Sequence, residues 1–412
     1  MKRGERVRLV IERPAAGGRM IARHDGAIVF VSNAIPGETV VADIEKVQRG
    51  VAFAVAREVL EGSPDRIDSG VDSTCGGAVF AHIAYERQRL VKSAIIEDSM
   101  RRLGRIALEA PVEVVASPAD GYRMRARLHM RSGRLGFFRE GTHELCDAAA
   151  TRQLRDDTAE VLQRLEASCR SVPAGVIQEV EIAENIAASD RVVHLHLHPD
   201  ANGEPLASLV GIDGLTGATC SNGDDLETIE LFGAPAISDV VCGAQLSRHV
   251  RSFFQGNRFL LEPFVEWVLR HVISGPLIDL YSGVGLFSLA AAAKGIEGIT
   301  AVEGDRFAAR DLTRNAAGAI TVMPMAVEEF VHRGAPAGTT IVDPPRTGLS
   351  KEALARVIAV GSPALVYVSC DIATLARDAR GLLDAGYRIT SARAFDLFPN
   401  TAHVETVMTF ER

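Results

Sequence analysis

Apolar and polar positions alternate with period two along the first stretch of the chain. Val7 to Ile11 alternates with Arg8 and Glu12, and similar short runs occur at Ala27-Ile28-Val29-Phe30-Val31, Thr39-Val40-Val41-Ala42-Asp43-Ile44 and Phe53–Val59. Turn residues separate them: Ala15-Ala16-Gly17-Gly18, His24-Asp25-Gly26 and Pro36-Gly37-Glu38. Short strands punctuated in this way predict a small closed β-barrel. Ser63-Pro64-Asp65 reads as a linker, and Asp65–Ala81 is rich in turn residues. His82–Leu103 places Ile83, Leu90, Ile95, Ile96 and Met100 at helical offsets, with Gly104 as the stop. From Gly121 to about Val241 the pattern returns to short strands, broken by a predicted helix over Asp156–Cys169. Beyond Leu246 helices and strands alternate, which predicts a parallel sheet. Ser252–Asn257 opens a predicted helix running to about His271. Strands are predicted at Leu277–Tyr281, Ile299–Glu303, Thr339–Asp343 and Leu365–Ser369.

Composition narrows the setting. A chain of 412 residues with 47% apolar and 24% charged content has ample material for a core and for several domains. The apolar stretch Phe287–Ala293 is too short to span a bilayer, and Met1-Lys2-Arg3-Gly4-Glu5 does not lead into a signal-peptide core. Six cysteines spread over this length predict free thiols in a reducing compartment, hence a cytoplasmic protein with no membrane partner. The formal net charge of -8 means that any nucleic-acid partner must be held by local basic patches.

Such a patch is offered by Tyr122–Arg131, where strict alternation puts Arg123, Arg125, Arg127 and His129 on one strand face. These cations repel one another unless an anion sits beside them. A nucleic-acid-facing sheet is favoured over a solvated face paired to acids. His194, His196 and His198 also alternate, and are expected on a solvent face rather than around a metal, since no neighbouring cysteine or acid completes a ligand set.

The chemistry concentrates in the C-terminal part. Ser282-Gly283-Val284-Gly285 follows one predicted strand and opens a helix, so backbone N–H groups approach a ligand with no Cβ in the way. Glu303 closes the next strand at roughly the twenty-residue spacing of a ribose-binding acid. The third glycine of a dinucleotide motif is missing, which favours a nucleoside without pyrophosphate, such as S-adenosylmethionine. Leu365-Val366-Tyr367-Val368-Ser369-Cys370 delivers a thiol to the carboxyl end of a strand, where ligands bind in open α/β sheets.

Five ordered motifs carry a resemblance. Phe253-Phe254-Gln255-Gly256-Asn257, Asp279-Leu280-Tyr281-Ser282-Gly283-Val284-Gly285, Asp343-Pro344-Pro345-Arg346-Thr347-Gly348, Tyr367-Val368-Ser369-Cys370 and Phe398-Pro399-Asn400-Thr401-Ala402-His403-Val404-Glu405 together resemble the RNA uracil-C5 methyltransferases, which make 5-methyluridine. The N-terminal turns resemble those of the TRAM domain, an RNA-binding barrel. The resemblance implies an α/β fold class. A Rossmann-like S-adenosylmethionine-dependent methyltransferase domain would span 83–115 and 246–412, a β-rich central domain 63–82 and 116–245, and a TRAM-like barrel 1–62, so that the domains interleave. It implies Cys370 as the nucleophile toward C6 of uracil and Glu405 as the base that removes the C5 proton. It implies Gln255, Tyr281, Gly283, Gly285, Glu303 and Asp343 around the cofactor. The RNA candidates are Arg123, Arg125, Arg127 and Phe254. Ribosomal RNA of the 23S class is the favoured substrate and transfer RNA the alternative. No obligate protein partner is implied.

The chain also departs from the family. Many relatives hold an iron–sulfur cluster through Cys-Gly-Gly-Cys and two further cysteines, whereas here Cys75-Gly76-Gly77 is followed by Ala78 and only Cys146 accompanies it. Two thiolates do not hold a four-iron cluster, so no cluster and no metal are expected. A Cys75–Cys146 disulfide is disfavoured by the reducing compartment. Asp371 stands where asparagine is common and Ser282 where cysteine is common, and a carboxylate at 371 is expected to raise the Cys370 thiol pKa unless Arg346 offsets it. An RNA-binding protein with a lapsed site is opposed by the intact Cys370 and Glu405. An exocyclic-amine methyltransferase shares the Asp-Pro-Pro turn but needs neither.

Overall fold

The strands Arg6–Pro14, Met20–His24, Ala27–Ser32, Val51–Glu61 and Thr39–Gln48 close into a barrel in that order. Val7, Leu9 and Ile11 point inward and their neighbours outward, as period two requires. This computed structural model describes residues 1–201, 206, 209–223, 227–273 and 275–412.

A second, seven-stranded sheet runs in the order Ile229–Gly233, Gly217–Asn222, Arg191–Leu197, Ile177–Glu184, Arg125–Arg131, Arg134–Phe138 and Leu145–Cys146. The helix Asp156–Cys169 shares a hydrophobic cluster with it through Leu162, Leu165 and Cys169. The third sheet has eight strands. Thr321–Met323, Ile299–Val302, Leu277–Leu280, Thr339–Val342 and Ala364–Ser369 are parallel, and Glu405–Glu411 inserts antiparallel beside Ala364–Ser369. Arg388–Phe395 follows, and the edge strand is Glu113–Val115, from far earlier in the chain.

One hydrophobic cluster joins the barrel interior to a face of this third sheet. It runs from Leu9 and Val31 through Phe80, Ile83, Ile95 and Ile96 to Leu365 and Tyr367. The barrel is thus fixed to the third sheet by burial rather than by a flexible tether. Helix Tyr85–Ser99 forms the middle of that connection, and a π-helical turn, Met100–Gly104, ends it. The left-handed residue is Arg105 (φ 54°), not Gly104. Gly104 instead makes room for a close approach, since a Cβ there would stand 2.7 Å from the Ala376 carbonyl oxygen.

Two expectations fail for reasons of tertiary contact. The helix expected from Ser252 begins only at Leu261 and ends at Arg270. Gly256 and Arg258 are drawn into backbone hydrogen bonds with Met124 and Tyr122, and Asn257 accepts from the Phe259 and Leu260 amides. His194 is buried, not solvent-facing. Its strand lies inside the seven-stranded sheet, where Thr219 and Ser221 of the parallel neighbour contact both ring nitrogens, at 2.8 and 3.0 Å. Burial holds its pKa down at about 2, so it is a neutral core histidine.

The expectation of free thiols also needs correction. Cys75 and Cys146 form a disulfide. The Gly76 amide bonds to the Phe138 carbonyl, and Phe137 pairs with Cys146, which brings the two Cα atoms to 5.8 Å. That separation suits a disulfide. Cys169, Cys220, Cys242 and Cys370 are free.

Candidate active site

The site is built at the carboxyl ends of the parallel strands. Leu277–Leu280 ends in Tyr281, whose φ of 61° is left-handed, a conformation that a bulky residue seldom adopts. The chain then turns through Gly283 and Gly285. A Cβ on Gly285 would meet Leu289 at 2.7 Å and Leu312 at 2.8 Å, so this glycine lets the helix Leu286–Ala293 pack down. A Cβ on Gly283 would meet nothing within 4 Å, because that position faces open space. Glu303 closes the turn, accepting from the Gly283 amide at 2.7 Å and the Asp305 amide at 2.6 Å.

The space in front of Gly283 is a cavity of about 600 Å³, in the range of small-molecule sites. Gln255, Tyr281, Gly283, Glu303 and Asp343 line it, as do Cys370 and Glu405. The wall is largely apolar, with Phe254, Leu286 and Phe287, and its acids lie toward the strand ends. A nucleoside with two ribose hydroxyls and a cationic sulfur fits this donor set: an acid at the glycine turn, an apolar slot and further carboxylates. The sequence-predicted cofactor residues are thus gathered in one place, with Gly285 behind them as a packing element.

Cys370 and Glu405 are neighbours across strands. Ser369 pairs with Thr406, and one further step of the same register sets Cys370 beside Glu405. Burial, with Glu405 and Asp343 adding to it, pushes the Cys370 thiol up to about 12, while Arg346 opposes them. Glu405 is buried and its carboxyl is raised well above the ordinary range by burial and then by Asp343. Burial and Glu303 raise Asp343 to about 7. Asp371 is not the acid that acts on Cys370 here. Its carboxylate caps the helix Ile372–Asp384, accepting from the Thr374 amide at 2.9 Å.

A second cavity, of about 480 Å³, lies between the barrel and the eight-stranded sheet. Cys370, Arg346 and Phe398 line both cavities. The thiol therefore stands where a cofactor-sized slot meets an open cleft. Phe398 and His403 were not assigned a site role from the sequence, although both lie within its motifs.

The arginine face of Arg125–Arg131 is not bare. Arg125 pairs with Glu181, and Arg127 lies 3.5 Å from both Glu179 and Glu181 on the adjacent strand. The anion that the alternating cations require is supplied in part by the protein itself. Arg123 leaves the strand, bonds to Gln153 at 2.6 Å and lines the cleft, as does Arg127. Phe254 is buried with Arg248 4.0 Å over its ring, and it lines the cavity that holds Cys370 and Glu405. Its neighbour Phe253 is exposed, at 62%.

A doubly wound sheet with an acid-closed glycine turn defines the class as a nucleoside-cofactor methyltransferase. A TRAM domain model matches residues 1–56, and one described as tRNA (Uracil-5-)-methyltransferase matches residues 333–412. An uncharacterized RNA methyltransferase of Streptomyces avermitilis is 30% identical over 440 residues, covering 99% of this chain and 98% of its own. The 23S rRNA (uracil(1939)-C(5))-methyltransferase RlmD of Pseudomonas entomophila is 29% identical, over 99% of this chain and 94% of its own. The fold matches that of Pyrococcus abyssi tRNA (uracil-54, C5)-methyltransferase, solved with S-adenosyl-L-homocysteine. The TM-score is 0.79 at 23% identity, over 98% of this chain and 99% of that one. The chain belongs to the RNA uracil-5-methyltransferase family. Among the described residues no helix is long and apolar enough to cross a membrane.

Proposed function

We propose that this chain methylates C5 of a uridine in RNA through a covalent Cys370 adduct, acting in the cytoplasm on 23S ribosomal RNA, with transfer RNA the second choice. The observation that supports this most is the adjacency of Cys370 and Glu405 in one cavity with Asp343. Methylation of an exocyclic amine would need no such thiol.

C5 of uracil is a poor nucleophile. The Cys370 thiolate forms a bond to C6, and the C5–C6 π electrons move to C5 and O4 as an enolate. C5 then bonds to the methyl carbon as the sulfur–methyl bond breaks, its electron pair staying on sulfur. S-adenosylmethionine supplies that electrophilic methyl group. Glu405 takes the C5 proton, the C5–C6 double bond re-forms, and the C6–sulfur bond breaks to return the thiolate. A buried carboxyl with a raised pKa suits this step, because its protonated product is well tolerated. Gln255, Tyr281, Gly283, Gly285, Glu303 and Asp343 hold the cofactor. The uridine reaches Cys370 by leaving its stack. Arg123, Arg125, Arg127 and the barrel then steady the RNA. The division of labour is a barrel over 1–62, a central domain over 63–82 and 116–245, and a catalytic domain over 83–115 and 246–412.

The test uses the purified chain with ribosomal and transfer RNA. Cys370→Ala should abolish 5-methyluridine formation, and Glu405→Gln should accumulate a protein–RNA adduct stable to denaturing gels. RNA carrying 5-fluorouridine should trap the wild type in the same way. Unchanged methylation by Cys370→Ala would overturn the mechanism.

A further inference from the structure

The outer wall of the barrel carries an aromatic pair that the catalytic chemistry does not use. Phe30 and Phe53 are register partners on adjacent parallel strands. Their ring centroids are 5.5 Å apart and their planes 23° from parallel. The barrel interior is filled by the residues that alternate with them, Val29, Val31, Ala52 and Ala54. The two rings therefore point outward, partly open to solvent, and add nothing to that interior.

Arg19 lies against this pair. Its guanidinium carbon is 5.6 Å from the Phe53 ring centre. Glu45 at 3.4 Å, Glu140 at 3.3 Å and the Ala54 carbonyl at 3.5 Å hold it in place. Arg19 also lines the cleft that contains Cys370, together with Ser32 and Val55 of the same two strands. Arg19 thus reaches the open cleft that holds the thiol, and the two stacked rings lie behind it on the same outer face of the strands that carry Ser32 and Val55.

We propose that Phe30, Phe53 and Arg19 form a stacking platform for unpaired RNA bases beside the target uridine. This rests on the RNA-uracil reading and adds to it the single-stranded character of the flanking substrate. Aromatic faces stack any base, and a guanidinium held flat does the same. Glu45 and Glu140 offset the charge of Arg19, so the platform works by stacking rather than by attraction to phosphate. Its share of the affinity is therefore insensitive to salt, unlike that of phosphate contacts.

The probe is a single-stranded oligouridine of about twelve nucleotides, within the span that one small barrel covers, with an RNA duplex of equal length as control. Phe53→Leu keeps an apolar side chain on the wall and removes the ring. It should bind the oligouridine about tenfold more weakly, at low and at moderate salt alike, and the duplex as the wild type does. Phe53→Trp should keep the affinity, and its indole emission should be quenched as oligouridine is added. The KM for S-adenosylmethionine should not change in either variant. Equal oligouridine affinity in Phe53→Leu and wild type, or an equal loss on duplex, overturns the platform. Circular dichroism of both variants shows that the barrel is folded, and Phe53→Trp reports on contact even if Phe53→Leu is unstable. Because binding is read without turnover, a failure of uracil methylation itself would be seen separately, in the Cys370→Ala comparison.

Discussion

The Lys92 ammonium donates to the Asp396 carboxylate at 2.5 Å, with both side chains sealed from solvent. Lys92 is one of only five lysines in a chain with forty arginines. It sits on the helix Tyr85–Ser99 and also donates to the Phe398 carbonyl at 3.1 Å. Gln88, one turn earlier on that helix, bonds to Asn400 through both its amide and its carbonyl. The loop that presents Phe398 and leads into Glu405 is therefore clamped from a helix three hundred residues away.

Removing one member of such a pair leaves an uncompensated buried charge, which costs about 3–5 kcal/mol. Lys92→Met should lower unfolding stability by about that amount in a urea titration, with kcat falling as the Phe398 loop loosens. Lys92→Met combined with Asp396→Leu should recover most of the stability, because a paired charge is replaced by apolar volume. Activity should not recover with it, since the Phe398 carbonyl still lacks its donor. Full recovery of turnover in the double variant would show that the clamp plays no part in positioning.

The Cys370 thiol is held at about 12 by burial, Glu405 and Asp343. Its thiolate fraction should therefore climb about tenfold per pH unit between 7 and 9, with no plateau. Alkylation by iodoacetamide, followed by mass spectrometry at Cys370, measures this directly. The sign for stability follows. The unfolded thiol ionises near its ordinary value, about 8.5, so the contribution of the protonated folded thiol is complete below that pH and is lost as pH rises above it. A cationic cofactor mimic in the adjacent cavity should speed alkylation relative to a neutral thioether, because positive charge favours the thiolate.

The Cys75–Cys146 bridge spans 71 residues of sequence. By loop entropy alone a cross-link of that span is worth about 4 kcal/mol. Cys146→Ala should therefore unfold at lower urea than the oxidised wild type, and the two should coincide once reductant is present. Gly76 and Gly77, beside Cys75, line the cleft, so loss of the bridge should also raise the KM for RNA.

What could be read in the sequence was local. The glycine turn at Gly283 and Gly285, the acid at Glu303, the thiol at a strand end and the alternating barrel strands each carry their signal within a few residues. What escaped depends on partners brought in by tertiary pairing. The burial of His194 needs Thr219 and Ser221 from a parallel neighbour. The neutralised Arg125 and Arg127 need Glu179 and Glu181. The disulfide needs the Phe138 carbonyl to capture the Gly76 amide. Phe254 and Phe253 are consecutive aromatics, and only tertiary packing, which seats Phe254 in a cluster with Leu260, Phe264 and Phe287, separates the buried ring from the exposed one.

The barrel meets the loop that leads to Glu405 tightly at Gly18. Gly18 has φ +88°, and a Cβ there would lie 2.5 Å from the Ala402 Cβ. Gly17, next to it, has φ +84° and nothing within 4 Å. Both alanine substitutions place a Cβ in left-handed backbone, which costs roughly 1–2 kcal/mol. Only Gly18→Ala also drives the barrel turn off the loop that leads to Glu405. Gly17→Ala should thus lower stability with kcat near wild type, while Gly18→Ala should lower kcat at least tenfold more than its stability loss accounts for. Adding Ala402→Gly removes the opposing methyl group and should restore kcat in the Gly18→Ala background, leaving the backbone cost in place. If Ala402→Gly restores nothing, the contact between barrel and loop is not what aligns the base.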